Sequence, residues 1–221
     1  GFNKSHAAAY CVVAAHTAWL KNYFPVEFFA ALLSTEMSDT DKIVKYVKDA
    51  QAHKIEVVPP HISHSEYKFS VSGDKILFSL GAIKGVGEGA VESIVAARAN
   101  QPNGRFATLE DFFGSIDLKK VNKKTVEALI KAGALDGYGY NRNELMTGFS
   151  QFIERAEGLK ADKEVGQTSL FDLGDEQSSE SNRVSLEKLE PWSRALSLSF
   201  EKEVLGFYLT DHPLRGLEVA G

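Results

Sequence analysis

Three glycines, Gly85, Gly87 and Gly89, punctuate the run from Gly81 to Arg98, GAIKGVGEGAVESIVAAR. Gly85 and Gly87 flank Val86, so the backbone can turn tightly there and bring its N–H groups against an anion with no side chain in the way. The alanine-rich stretch that follows predicts a helix from about Glu88, whose positive end points at the same spot. A turn of this kind can hold a phosphate group. It can also be a mere connection between elements. A nucleotide-binding loop is the third reading, but no Lys-Ser/Thr pair follows the glycines and no acidic residue follows a later strand.

The order hydrophobic-x-Gly-hydrophobic-Gly-x-x-x-Ala-x-x-hydrophobic, met by Ile83, Gly85, Val86, Gly87 and Ile94, is that of a helix-hairpin-helix, a motif that grips the phosphates of nucleic acid. Lys84 lies inside it. Val91 stands where that pattern has a small alanine, which predicts slightly wider helix packing. Further on, Lys119, Lys120, Lys123 and Lys124 cluster at the start of a helix expected over Asn122 to Ala132. Cations at a helix N-terminus oppose the dipole, so the cluster is either a second part of a nucleic-acid face or an ordinary solvated surface. Gly133-Ala134-Leu135-Asp136-Gly137 then reads as a second, degenerate hairpin, leading into a helix from Asn141 to about Glu157.

The elements that must position these residues are mainly helical. Ser5 is expected to cap a helix through Lys21, Pro25 to open a second and Asp39 to cap a third through His53. In the third, Ile43, Val44, Val47 and Ala50 share one face. Tyr67 to Val71 and Ile76 to Leu80, either side of Ser72-Gly73-Asp74-Lys75, predict a short β-hairpin that delivers the chain into the glycine turn. Leu109 to Phe113 reads as a short helix. The expected fold is thus mainly α with a small β-hairpin: a helical segment over 1–80, a tandem helix-hairpin-helix domain over 81–157, an acidic linker over 158–190 and a further helical segment over 191–221, with its helix ending near Gly206. The linker is acidic, Ser-rich and poor in apolar residues, so ordering it is expected to cost more than burial returns.

With 221 residues, 43% of them hydrophobic, the chain can build one sizeable core or two small ones. Its net charge of −5 hides a split. From Lys75 to Lys131 there are nine Lys/Arg against six Asp/Glu, and from Gln151 to Glu190 five against ten, so any nucleic-acid face is local. The apolar stretch from Ala7 to Leu20 is interrupted by His16 and Thr17 and is too short to span a bilayer. One cysteine, Cys11, excludes an internal disulfide and fits a reducing cytoplasm. Two metal readings are weak. Asp39-Thr40-Asp41 sits at a helix start, where capping explains it. His53, His61 and His64 lack a completing cysteine and read as surface histidines.

Several runs, in order, resemble the bacterial replicative polymerases of the C family, the alpha subunits of DNA polymerase III. They are Gly1-Phe2-Asn3-Lys4-Ser5-His6-Ala7-Ala8-Ala9-Tyr10, Thr17 to Lys21, Leu80 to Gly87, Leu129 to Ala134 and Leu205 to Pro213. The resemblance covers nearly the whole chain. It implies an internal piece of a larger subunit, the later part of the fingers followed by the helix-hairpin-helix domain. It also implies that Lys4, Ser5 and His6, with Asn3 and Tyr10, face the phosphates of an incoming deoxynucleoside triphosphate. Without it, Ser5 is simply a cap and Lys4 a solvated cation. The family's metal-holding palm carboxylates are expected upstream of Gly1, so magnesium belongs to the full-length enzyme, with no cofactor or catalytic residue in this piece.

Within the linker, Gln167-Thr168-Ser169-Leu170-Phe171 resembles the short peptide by which replication proteins bind the sliding clamp. Gln167, Ser169, Leu170 and Phe171 carry that likeness: a glutamine to hydrogen-bond, then an aliphatic-aromatic pair for an apolar pocket. The implied partners are duplex primer-template DNA, a deoxynucleoside triphosphate, the clamp and other replicase holoenzyme subunits, with no membrane. A stand-alone helix-hairpin-helix scaffold of repair or recombination is the alternative.

Overall fold

The computed structural model describes residues 4–164 and 183–211, with the backbone alone at 5 and 162–164. Three helices come first: α1 (Lys4–Tyr23), α2 (Pro25–Thr35) and α3 (Thr40–Ala52). Pro25 opens α2, where its fixed φ and missing N–H cost nothing. The Asp39 carboxylate accepts the Lys42 N–H at 3.1 Å, so this acid caps α3 as expected. Ile43, Val47 and Ala50 face the core, with Val44 half-buried beside them. At α1 the expectation is corrected: the helix already includes Lys4, so Ser5 lies inside it and is not its cap. The alanines that follow propagate helix readily, which carries it upstream of the serine.

The sheet is small. Strands β1 (Glu56–Val58), β2 (Ser70–Ser72) and β3 (Lys75–Leu77) lie in the order β1-β3-β2. The expected hairpin is present but shorter, pairing Ser70 with Leu77, Val71 with Ile76 and Ser72 with Lys75 around Gly73 at φ +62°. The chain leaves the strand early, where Phe78 and Leu80 turn inward to 0% exposure. Parallel pairing of β1 to β3 was not anticipated, because a strand this short has no periodicity to read.

Five more helices complete the described residues: α4 (Glu88–Ala99), α5 (Leu109–Ser115), α6 (Lys123–Lys131), α7 (Arg142–Glu164) and α8 (Arg194–Leu205). A capping box between Thr108 and Asp111 starts α5. Phe112 and Phe113 from α5 meet α7 in the core, where the Phe113 and Phe152 rings stack at 5.3 Å. Between α6 and α7 the second turn closes as a Schellman motif. Gly133 (φ +77°) donates to the Ile130 carbonyl at 3.0 Å and Ala134 to that of Leu129 at 2.9 Å. The Asp136 carboxylate then binds the Arg142 guanidinium, at 3.0 Å from Nε.

The expected linker is corrected at both ends. Helix α7 continues through Glu164, and the chain packs again from residue 183. Val184 and Leu186 are buried, and side chains take over the backbone groups. Glu110 accepts the Val184 N–H at 2.9 Å, Tyr140 donates to the Val184 carbonyl at 2.5 Å, and Asn141 donates to that of Leu189 at 2.8 Å. Two apolar anchors and satisfied polar groups offset the entropy that composition alone made prohibitive. Among the described residues, no helix is long and apolar enough to cross a membrane.

Candidate nucleic-acid interface

Ile83 and Val86 anchor the glycine turn in the core at 1% and 6% exposure. The Val86 N–H closes the turn onto the Ile83 carbonyl at 3.0 Å, with Gly85 at φ +90°. That conformation requires glycine. Gly87 caps α4 with extended backbone at φ −83° and no side-chain bond, while Ala90 and Val91 donate back to its carbonyl. The N–H groups of Gly87, Glu88 and Gly89 therefore come before the first helix-bonded N–H, that of Ala90, and have no intrahelical acceptor. A side chain at Gly87 or Gly89 would stand in open space, so the fold itself does not demand glycine at either place. The segment before the turn is a single turn and no helix, and Val91 is fully buried.

The lysine cluster is brought to this turn. Asn122 caps α6 by accepting the Thr125 N–H at 3.1 Å, and the buried Thr125 hydroxyl donates to the Gly85 carbonyl at 3.3 Å. Ala128, one turn further along α6, lies 3.7 Å from where a Gly85 Cβ would be. Ahead of α6, the Asp117 N–H donates to Ser93 of α4 at 2.9 Å, and the Asp117 carboxylate accepts the Lys119 N–H at 2.9 Å. The loop carrying Lys119 and Lys120 is thus fastened to the helix that follows the glycines. Lys84, Lys119, Lys120, Lys123 and Lys124 are all exposed. None of them is in an ion pair among the described residues. Free cations beside open backbone N–H groups form a face suited to phosphates and blind to base sequence.

Residues 54–145 match the helix-hairpin-helix motif family. Over 214 residues, 96% of this chain, the sequence is 41% identical to the DNA polymerase III subunit alpha of Xylella fastidiosa (strain Temecula1). It is 42% identical over 214 residues to that of Neisseria meningitidis serogroup B, and 42% over 217 residues to that of Deinococcus radiodurans. Over nearly its whole length the chain is similar to DNA polymerase III alpha subunits. It covers 18%, 18% and 16% of those three relatives.

Of the residues that the family likeness associates with a triphosphate, Lys4, His6 and Tyr10 lie along one exposed stretch of α1. The His6 and Tyr10 rings meet edge to face at 4.6 Å, one helical turn apart. Asn3 lies outside the described residues, as do Gln167, Ser169, Leu170 and Phe171. Helix α1 shows much apolar surface, with Tyr10 at 62% and Trp19 at 53% exposure.

Sequence reasoning missed what fixes the turn from behind. Thr125 carried no local signal, being one threonine in an amphipathic helix. The Lys84 N–H donates to the Val204 carbonyl of α8 at 2.8 Å, a contact across the fold. Two of the three histidines differ from expectation. His61 bonds the Asp136 carbonyl at 2.9 Å through Nε2 and stacks on His64 at 5.2 Å and on Tyr138 at 5.8 Å. His61 and His64 form a half-buried seam against the second turn, whereas His53 is exposed as expected.

Proposed function

We propose that this chain contributes a sequence-independent grip on duplex DNA to a replicative DNA-directed DNA polymerase. The observation that carries the reading is the junction of the glycine turn with the start of α6. There Lys84, Gly85, Val86, Gly87 and Gly89 meet a loop and helix start whose exposed Lys119, Lys120, Lys123 and Lys124 are in no ion pair among the described residues. Glycines at 87 and 89, which the backbone does not need, leave room for a sugar-phosphate strand to approach the α4 N-terminus. An anisotropy titration of the chain with two duplexes of unrelated sequence, at two salt concentrations, tests this. Equal affinity for both duplexes and a steep loss with salt are expected. Strong preference for one duplex, or no binding at low salt, would refute the grip.

In the same reading α1 faces an incoming deoxynucleoside triphosphate through Asn3, Lys4, Ser5, His6 and Tyr10. The segment containing Gln167, Ser169, Leu170 and Phe171 engages the sliding clamp, and other replicase subunits assemble on the longer protein. Support for both assignments is the family likeness, which spans 96% of the chain. Magnesium is held by carboxylates elsewhere in the longer subunit, and the residues here bind and position without a catalytic role. Triphosphate affinity of the chain alone is therefore expected to be weaker than micromolar.

A further inference from the structure

Helix α8 lies far along the chain from the glycine turn, yet it is fastened directly to it. The last four carbonyls of a helix lack intrahelical partners. Here one of them, that of Val204, accepts the Lys84 N–H at 2.8 Å, on the residue just before Gly85. The α8 end carries partial negative charge, which favours the exposed Lys84 cation beside it. Gly206, at φ +87°, ends the helix, and a Cβ there would collide with Thr40 Cγ2 at the start of α3. Phe207 follows, with its ring 6.1 Å from that of Phe78.

What holds this end in place is a buried acid. Glu201 is 1% exposed, and its carboxylate accepts three hydrogen bonds from the chain that folds back under α8. The donors are the Leu209 N–H, the Thr210 N–H at 2.9 Å and the Thr210 hydroxyl at 2.6 Å. A buried carboxylate without donors costs several kcal/mol, so the three bonds and the burial are maintained together. On the opposite side, Lys131 of α6 pairs with Glu203 at 2.7 Å, tying α8 to the helix that carries the lysine cluster.

We propose that α8 and the turn over 206–210 form a positioning element of the duplex grip, with Glu201 as the residue that fixes it. Its effect passes through the Val204 carbonyl to Lys84 and so to the pose of Gly85 and Gly87. The proposal rests on the reading of the glycine turn as a phosphate contact. It makes the region after residue 190 part of the grip, where it would otherwise be a mere exit from the domain.

The test measures duplex affinity and amide hydrogen exchange at Lys84 in the whole chain. Glu201→Leu removes both acceptor oxygens and with them all three hydrogen bonds. It is expected to weaken duplex binding about fivefold and to speed Lys84 exchange by a similar factor, the scale of one or two broken hydrogen bonds. Glu201→Gln keeps an oxygen for both N–H donors and can donate to the Thr210 hydroxyl, so it should restore both readouts to within about twofold. Should Glu201→Leu not fold, Thr210→Val, on an exposed residue, carries the test with a loss of about twofold in each readout. Unchanged affinity and unchanged Lys84 exchange in the disruptive variant, while Lys123→Ala with Lys124→Ala still weakens binding, would overturn the positioning role and leave the grip standing. If the unaltered chain fails to bind duplex, the grip fails, and the role of α8 in it with it.

Discussion

The hydroxyl of Thr125 donates to the carbonyl of Gly85 across 3.3 Å, joining residues 40 apart in sequence. Thr125 is 3% exposed, so the bond lies beneath the surface that Lys123 and Lys124 present. One buried hydroxyl thus sets a left-handed glycine and a cation-bearing helix start in fixed relation, before any ligand arrives. Preorganisation of this kind lowers the ordering cost of binding.

Gly85 and Gly89 should respond to the same substitution with opposite changes in stability. Gly85→Ala places a side chain at φ +90°, a strain of about 1–2 kcal/mol, so both melting temperature and duplex affinity should fall. Gly89→Ala lies within α4 in open space, where alanine is favoured by about 1 kcal/mol. Its melting temperature should therefore rise while duplex affinity falls, because the added methyl obstructs the approaching strand. Thermal melts paired with anisotropy read both; affinity unchanged in Gly89→Ala would place the strand elsewhere.

The lysines make a second contrast of sign. Lys123 and Lys124 occupy the first turn of α6, where positive charge opposes the helix dipole. Lys123→Glu with Lys124→Glu should stabilise the fold by about 0.3–1 kcal/mol per site. Duplex binding should weaken, and the slope of log affinity against log salt should decrease by about 0.9 for each phosphate that is no longer neutralised. A chain stabilised but undiminished in affinity would return these lysines to plain surface.

Much of this arrangement is legible from local signals, and the remainder is not for a definite reason. Pro25, Asp39 and Asn122 each announce a helix start through chemistry confined to a few residues. The glycine turn announces itself the same way. β1 is defined by its partner β3 and by nothing in Glu56-Val57-Val58 itself. The return of residues 183–189 to the core depends on Glu110, Tyr140 and Asn141, side chains more than 40 residues away. Composition saw an acidic stretch there and could not see the two anchors' pocket. Thr125 and Val204 were invisible as site residues because their roles exist only once the chain has closed on itself.

Acidification should strain the seam beside the second turn. Burial, reinforced by His61, Arg98 and Arg105, holds the His64 imidazole below its ordinary value of 6.5. Its Nε2 is buried with no hydrogen-bond partner among the described residues. In the window from 6.5 down to the lowered folded value, the unfolded chain takes up a proton that the folded one refuses, so stability falls as pH falls. Above 6.5 this group contributes no slope. Glu144 adds a separate loss at lower pH. The Asn141 N–H, then that of Leu189, hold its carboxyl below the usual 4.5, so its contribution is present above 4.5 and disappears as pH falls through the folded value. Melting curves from pH 7.5 to 5 should decline for the unaltered chain and flatten for His64→Phe, which keeps a ring against His61. Parallel slopes in the two would remove His64 as the cause.

The aromatic joint between α5 and α7 should carry a large share of the stability. Phe113 is fully buried and Phe152 is 1% exposed, with the rings 17° from parallel. Phe112 meets Phe113 edge to face at 5.0 Å, and Tyr140 meets Phe152 at 5.8 Å. Removing the Phe113 ring leaves a cavity that two helices and the Tyr140 contact to residues 183–189 cannot fill without shifting. Phe113→Ala is therefore expected to cost about 3–5 kcal/mol, measured by denaturant unfolding. Because Tyr140 also donates to the Val184 carbonyl, the same variant should expose the 183–189 backbone to faster hydrogen exchange than the β1 to β3 pairing. Equal exchange in the two regions would mean that this segment is held by its own anchors, Val184 and Leu186, independently of the aromatic joint.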